Sequence, residues 1–129
     1  MSIEVNIENN GEGIEIVATG VVTGNEIIKA HKKIYDKAHL SCQKYHIIDK
    51  SKCIEYDVSA KDIESIAELD GKASEINPNI IIAIIESESL QFSLTETWQE
   101  YLKLNKNLFN TKSFTDRNSA IEWIAENKI

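Results

Sequence analysis

Residues 79–86, Asn-Ile-Ile-Ile-Ala-Ile-Ile-Glu, form an unbroken apolar run of strand length. A strand with one face in water alternates apolar and polar residues, so a run without alternation must be covered on both faces. Central strands of parallel sheets meet that condition, with helices packed on either side. This run therefore constrains the chain to an α/β architecture. Asn77-Pro78 just ahead of it stops a helix, because the residue before proline avoids helical backbone angles.

The rest of the chain reads consistently with such a strand. Ile3, Val5 and Ile7 alternate with polar residues, as do Ile14, Ile16 and Ala18, and Asn9-Asn-Gly-Glu-Gly13 lies between. Two half-buried strands joined by a Gly-rich turn make a hairpin. Thr23 with Glu26 three residues on forms a capping box for a first helix. Ile27, Ile28, His31, Ile34, Tyr35 and Ala38 then fall within an arc of roughly 120° at helical spacing. A strand at 45–49 ends in Asp49, and a polar loop over residues 50–56 leads to Asp57-Val-Ser-Ala60. Ser59, with Asp62 three on, caps a second helix carrying Ile63, Ile66, Ala67, Leu69, Ala73 and Ile76. A third helix is expected over roughly 93–105, a short strand over 111–114, and a last helix from near Asp116 with Ala120, Ile121, Trp123 and Ile124. The expectation is one α/β domain over 1–129: a mixed, mostly parallel sheet of about five strands, an N-terminal antiparallel hairpin and about four helices.

Charge and composition exclude several classes. The net charge is −7, and the phosphate backbone of a nucleic acid would be repelled. Anionic lipid surfaces are disfavoured for the same reason. The N-terminus alternates apolar and acidic residues, unlike a signal peptide. The apolar run at 80–85 is far too short to span a bilayer. A soluble, cytoplasmic protein without membrane insertion is expected. Cys42 and Cys53 show no metal spacing, and no cofactor or metal is expected.

Three segments together resemble the SpoIIAA-like family, the STAS-type domains related to anti-sigma factor antagonists. They are Ile47-Ile-Asp49 with Asp57-Val-Ser-Ala60, the strand Ile81-Ile-Ala-Ile-Ile85, and the close Phe114-Thr-Asp116 with Ala120-Ile-Glu-Trp-Ile124. The resemblance covers nearly the whole chain and looks most like the stand-alone branch of this bacterial family, which is sometimes compared with lipid-binding folds. A response-regulator receiver is the rival α/β reading, but it needs an acidic pair after its first strand and a Lys after its fifth. Neither is present.

The resemblance singles out Ser59. Anti-sigma antagonists begin this helix with Asp-Ser-Ser-Gly and are phosphorylated on the second Ser. Asp57-Val-Ser59-Ala matches the Asp and that Ser but lacks the first Ser and the Gly. The resemblance thus implies a phosphorylation candidate, while the residue type alone implies a helix cap. Asp49, Asp57, Glu86 and Glu88 are expected at the carboxyl ends of adjacent strands, where open α/β sheets bind ligands. With no basic residue placed beside them by sequence, they read as a solvated acidic rim. His31 lies on the first helix's apolar stripe, as a core residue or a ligand-facing one.

The third helix is apolar to excess. Leu90, Leu94, Trp98, Tyr101, Leu102, Leu104 and Leu108 cover roughly 160°, where about 100° suffices to cover a sheet. The surplus points to a homodimer contact with Phe92 or Leu104, a protein partner, or an apolar, lipid-like small molecule. No nucleophile–base pair or metal cluster can be assembled, so the expected function is a non-enzymatic binding or regulatory module. The alternative is a phosphorylation-switched anti-sigma factor antagonist acting through Ser59.

Overall fold

The computed structural model describes residues 2–87 and 109–129. Five strands form one sheet in the order β1-β2-β3-β4-β5: β1 Ile3–Glu8, β2 Gly13–Thr23, β3 Tyr45–Asp57, β4 Ile81–Ile85 and β5 Asn110–Phe114. β1 and β2 are antiparallel, from Ile3 opposite Ala18 to Glu8 opposite Gly13. All other pairs are parallel. Four α-helices occur among the described residues: α1 Gly24–Ile34, α2 Lys37–Leu40, α3 Ala60–Ile76 and α4 Arg117–Asn127.

The central run behaves as its composition requires. Every residue of β4 is buried. Ile82 and Ile84 pack with Ile63, Ile66 and Ala67 of α3, while Ile81, Ala83 and Ile85 pack with Ala120 and Ile124 of α4. Two cores thus lie on opposite faces of one strand, which is what an unalternating strand needs. In the hairpin, the turn residues Asn9, Asn10 and Gly11 all adopt positive φ, which Asn and Gly tolerate best. Gly13 is required by close approach: a Cβ there would sit 2.3 Å from the Tyr45 ring.

The caps read from the sequence are present. The Thr23 and Glu26 side chains exchange hydrogen bonds with each other's backbone N–H at the start of α1, and Ser59 and Asp62 do so at the start of α3. The Ser59 hydroxyl accepts from the Asp62 amide at 3.1 Å, and the Asp62 carboxylate accepts from the Ser59 amide at 3.1 Å. Ser59→Ala is therefore expected to destabilise the fold by about 1 kcal/mol, whereas Ser59→Asp, which also caps, stays near wild type. Urea unfolding midpoints test this, and an unchanged midpoint for Ser59→Ala would remove the capping account.

Several boundaries differ from the sequence reading. The expected polar loop after Asp49 is strand: β3 continues to Asp57 and pairs with Thr19–Thr23 of β2 across two register shifts. Those bulges break the two-residue alternation that would have marked it as strand. The first helix stops at Ile34, and Ala38 belongs to α2, a separate turn capped by the Asp36 side chain, where it is exposed. Ile76 and Ile121, expected in the core, are exposed. Asp70 and Ser74 replace Ile76 on the buried side of α3.

Candidate functional site

The face of the sheet under α1 and α3 carries two linked features, a buried polar cluster and an apolar cavity. The cluster is built on Asp70, whose position on α3 is 0 % exposed. The Tyr35 hydroxyl, just past the end of α1, donates to Asp70 Oδ1 at 2.5 Å, and His31 Nε2 lies 3.4 Å from the same oxygen. His31 Nδ1 is 2.9 Å from the Ile27 carbonyl, which can only accept, so Nδ1 carries a proton. Both ring nitrogens are thereby turned toward the protein. Burial, and then the Asp70 charge, push the Tyr35 phenol well above its ordinary range.

His46 on β3 stands beside this cluster, its ring 5.9 Å from that of Tyr35 and 6.5 Å from that of Phe109. Its Nε2 donates to Gln43 Oε1 at 2.7 Å, and Gln43 Nε2 donates to the Ile34 carbonyl at 2.7 Å. One glutamine thus orients the imidazole and satisfies a carbonyl at the end of α1. Burial, aided by the charge of His31, pulls His46 down to about 3. It is neutral across the physiological range.

The cavity has a volume of about 80 Å³ and opens between α1, α3 and the sheet. Ile16, Ala18, Ile48 and Ile84 form its floor. Ile27 and Ala30 of α1 and Ile63 and Ile66 of α3 form its walls, with Ile3, Val22 and Val58. The remaining described lining residues are His31, Lys50 and Tyr56. Lys50 is half-buried, and its Nζ lies 5.3 Å from the Tyr56 ring centroid. Burial lowers the Lys50 ammonium below the usual lysine range, against the opposing pull of Glu86 and then Cys53. Burial likewise raises the Tyr56 phenol and the Cys53 thiol.

The sequence-derived candidates fall in different places. Ser59 is exposed at the start of α3. Among the described residues, Asp49, Asp57 and Glu86 do not form the single solvated rim expected of them. Asp49 lies within β3, on the face under α4, where its carboxylate accepts from Ser51 N–H at 2.9 Å and from Arg117 Nη1 at 3.2 Å. Arg117 also pairs with Glu15, and that hydrogen bond raises the guanidinium further. Glu86 follows β4 and is buried at 5 % exposure instead of solvated, while Asp57 is exposed at the end of β3. The structure thus separates Asp49 and Asp57, and a basic residue stands beside Asp49. Glu88, Leu90, Phe92, Trp98, Tyr101 and Leu104 lie outside the described residues. No group of three or more metal-ligating side chains occurs among the described residues. None of their helices is long and apolar enough to cross a membrane.

Asp70, His46, Gln43 and Lys50 were missed by the sequence reading. A signal for Asp70 was available: Ile63, Ala67, Asp70 and Ser74 follow the 3- and 4-residue spacing of a single helical stripe, so a carboxylate on that stripe has to be buried. Lys50, one residue beyond the apolar strand, carried no comparable mark.

Among the described residues, a mostly parallel sheet with an antiparallel N-terminal strand carries α1 and α3 on one face and α4 on the other, and this arrangement is a SpoIIAA-like fold. The chain is similar to the crystal structure of an uncharacterised protein from the DUF3478 family with a SpoIIAA-like fold, from Shewanella loihica PV-4. The two share 17 % sequence identity over 95 % of this chain and 93 % of the other, with a TM-score of 0.54. Neither a protein-family model nor a curated protein matches the sequence.

Proposed function

We propose that this chain is a non-enzymatic binding module, regulatory in role, that takes up the apolar end of a small molecule between α1, α3 and the sheet. The observation that carries this reading is the cavity itself, walled by apolar side chains from both helices and β1–β4. An apolar site of this kind stays dry and favours apolar guests. Its size narrows the guest. At about 80 Å³ it is around half the volume of an apolar cavity known to take benzene, so it admits a group of three or four carbons and not a whole acyl chain. The commitment of both His31 nitrogens to Ile27 and Asp70 supports a binding role over acid–base chemistry there.

Ala18→Leu should fill the cavity floor. Native mass spectrometry of wild-type protein from its own host is expected to show a retained small molecule that the Ala18→Leu variant lacks. Ligand-free wild-type protein whose Ile48 and Ile84 methyl resonances also fail to respond to xenon would sink the reading.

The Ser59 switch is the weaker alternative. Asp62 already places a carboxylate on the α3 N-terminus beside Ser59, and a phosphate would meet that charge. A homodimer or protein contact through Phe92 and Leu104 rests on the sequence argument. A wild-type protein that sediments as a monomer would remove the dimer.

A further inference from the structure

We infer that the cavity selects a saturated alkyl end of three or four carbons and rejects the same end carrying a hydroxyl or a carboxylate. This deepens the binding reading above and rests on it. The argument turns on the three polar side chains among the described lining residues, His31, Lys50 and Tyr56. Each already has a partner within the protein. His31 directs Nδ1 at the Ile27 carbonyl and Nε2 at Asp70. The Tyr56 hydroxyl donates to the Cys53 sulfur, and the Cys53 thiol in turn reaches the Gly20 carbonyl at 3.4 Å. Lys50 is likewise engaged, and its Nζ lies over the Tyr56 ring. The backbone of the floor is committed too, since Ile16, Ile48 and Ile84 belong to strands paired across the sheet. Among the described residues, the buried side-chain polar atom that lacks a hydrogen-bond partner is Thr111 Oγ1 on β5, which does not line the cavity. A guest hydroxyl would therefore leave water and meet no partner, which is unfavourable, and a carboxylate would fare worse. The polar part of any guest has to stay outside, and the site reads the reduced form of its hydrocarbon end.

The test uses the intact protein, with the Ile48 and Ile84 methyl resonances as the readout. Isobutane and 2-propanol share one heavy-atom outline and differ by a methyl in place of a hydroxyl. Isobutane is expected to shift both methyls saturably and to bind about a hundredfold more tightly than 2-propanol, the discrimination an apolar pocket makes against a hydroxyl isostere. Acetate, with a similar outline and a charge, should not displace isobutane. Tyr56→Phe removes a hydroxyl that is bonded to Cys53 and should leave the ratio of the two affinities unchanged. A 2-propanol affinity within tenfold of that of isobutane would overturn the selectivity while leaving the binding reading intact, and this comparison needs no variant to fold. Displacement of isobutane by acetate would overturn it as well, because a cation on the wall would then be serving the guest. A ratio that widens in Tyr56→Phe would overturn it by showing that the hydroxyl does the same. If isobutane fails to act but xenon shifts the methyls, the ligand class falls and the cavity stands; if xenon also fails, both fall.

Discussion

Asp70→Ala is expected to destabilise the protein by about 3–5 kcal/mol, the cost of removing one member of a buried, hydrogen-bonded charged group. The loss has two parts. The carboxylate's own packing volume on α3 is emptied, and the groups that met it are left buried without it. The Tyr35 hydroxyl loses its 2.5 Å acceptor, and His31 loses the carboxylate beside Nε2. Tyr35→Phe should be far milder, about 1 kcal/mol, because the carboxylate then keeps His31. Urea denaturation of the two single variants and the double variant forms a cycle. A coupling near zero between positions 35 and 70 would mean that the short hydrogen bond does not matter to the fold. The prediction also bears on the cavity, since His31 is both a cavity wall and a partner of Asp70. Loss of Asp70 frees one nitrogen of a wall residue that is otherwise turned away.

What could be read from the sequence divides along a physical line. Features whose partners lie within four residues were legible. The capping boxes Thr23/Glu26 and Ser59/Asp62 each involve a spacing of three, and Asn77-Pro78 acts on its own backbone. The unalternating β4 was legible because burial on both faces imprints itself on every residue of the strand. Features assembled from distant segments were not. Asp49 meets Arg117 across 68 positions, Tyr35 meets Asp70 across 35, and Asn77 ties the Leu40 and Gln43 carbonyls across 37 and 34. The second half of β3 was illegible for another reason. Its bulges against β2 disrupt alternation, so Cys53 is buried among exposed neighbours and Ile54 is exposed. The cavity has no linear signature, because four strands, two helices and Val58, just before the Ser59 cap of α3, each contribute only a few of its walls. A resemblance can supply the order of elements, and 17 % identity is enough to share a fold, but neither says which side chains leave a space between helix and sheet.

Acid should destabilise this protein through His46 in particular. An imidazole in the unfolded chain takes its proton near pH 6.5, while burial holds His46 in the folded protein at about 3. The sign follows from proton counts. Between those two values the unfolded state binds a proton that the folded state refuses, so stability that is complete above about pH 6.5 is lost as the pH falls toward 3. Each pH unit in that window costs about 1.4 kcal/mol, so lowering the pH from about 6.5 to about 4.5 should remove roughly 3 kcal/mol through this one residue. Refusal of the proton comes from burial: the ring is shut away from water, with Tyr35 and Phe109 flanking it, and the charge of His31 adds to the effect. His46→Gln keeps an amide donor without a titrating ring. The variant should be less stable than wild type at neutral pH, yet lose roughly 3 kcal/mol less on acidification over the same range. Urea midpoints at about pH 7.5 and about pH 4.5 give the difference directly. The His46 ring-proton resonances supply a check that needs no variant, since they should stay flat over that interval in the folded protein. A ring that titrates near pH 6, or a variant that loses as much stability in acid as wild type, would show that His46 is not held neutral by the fold.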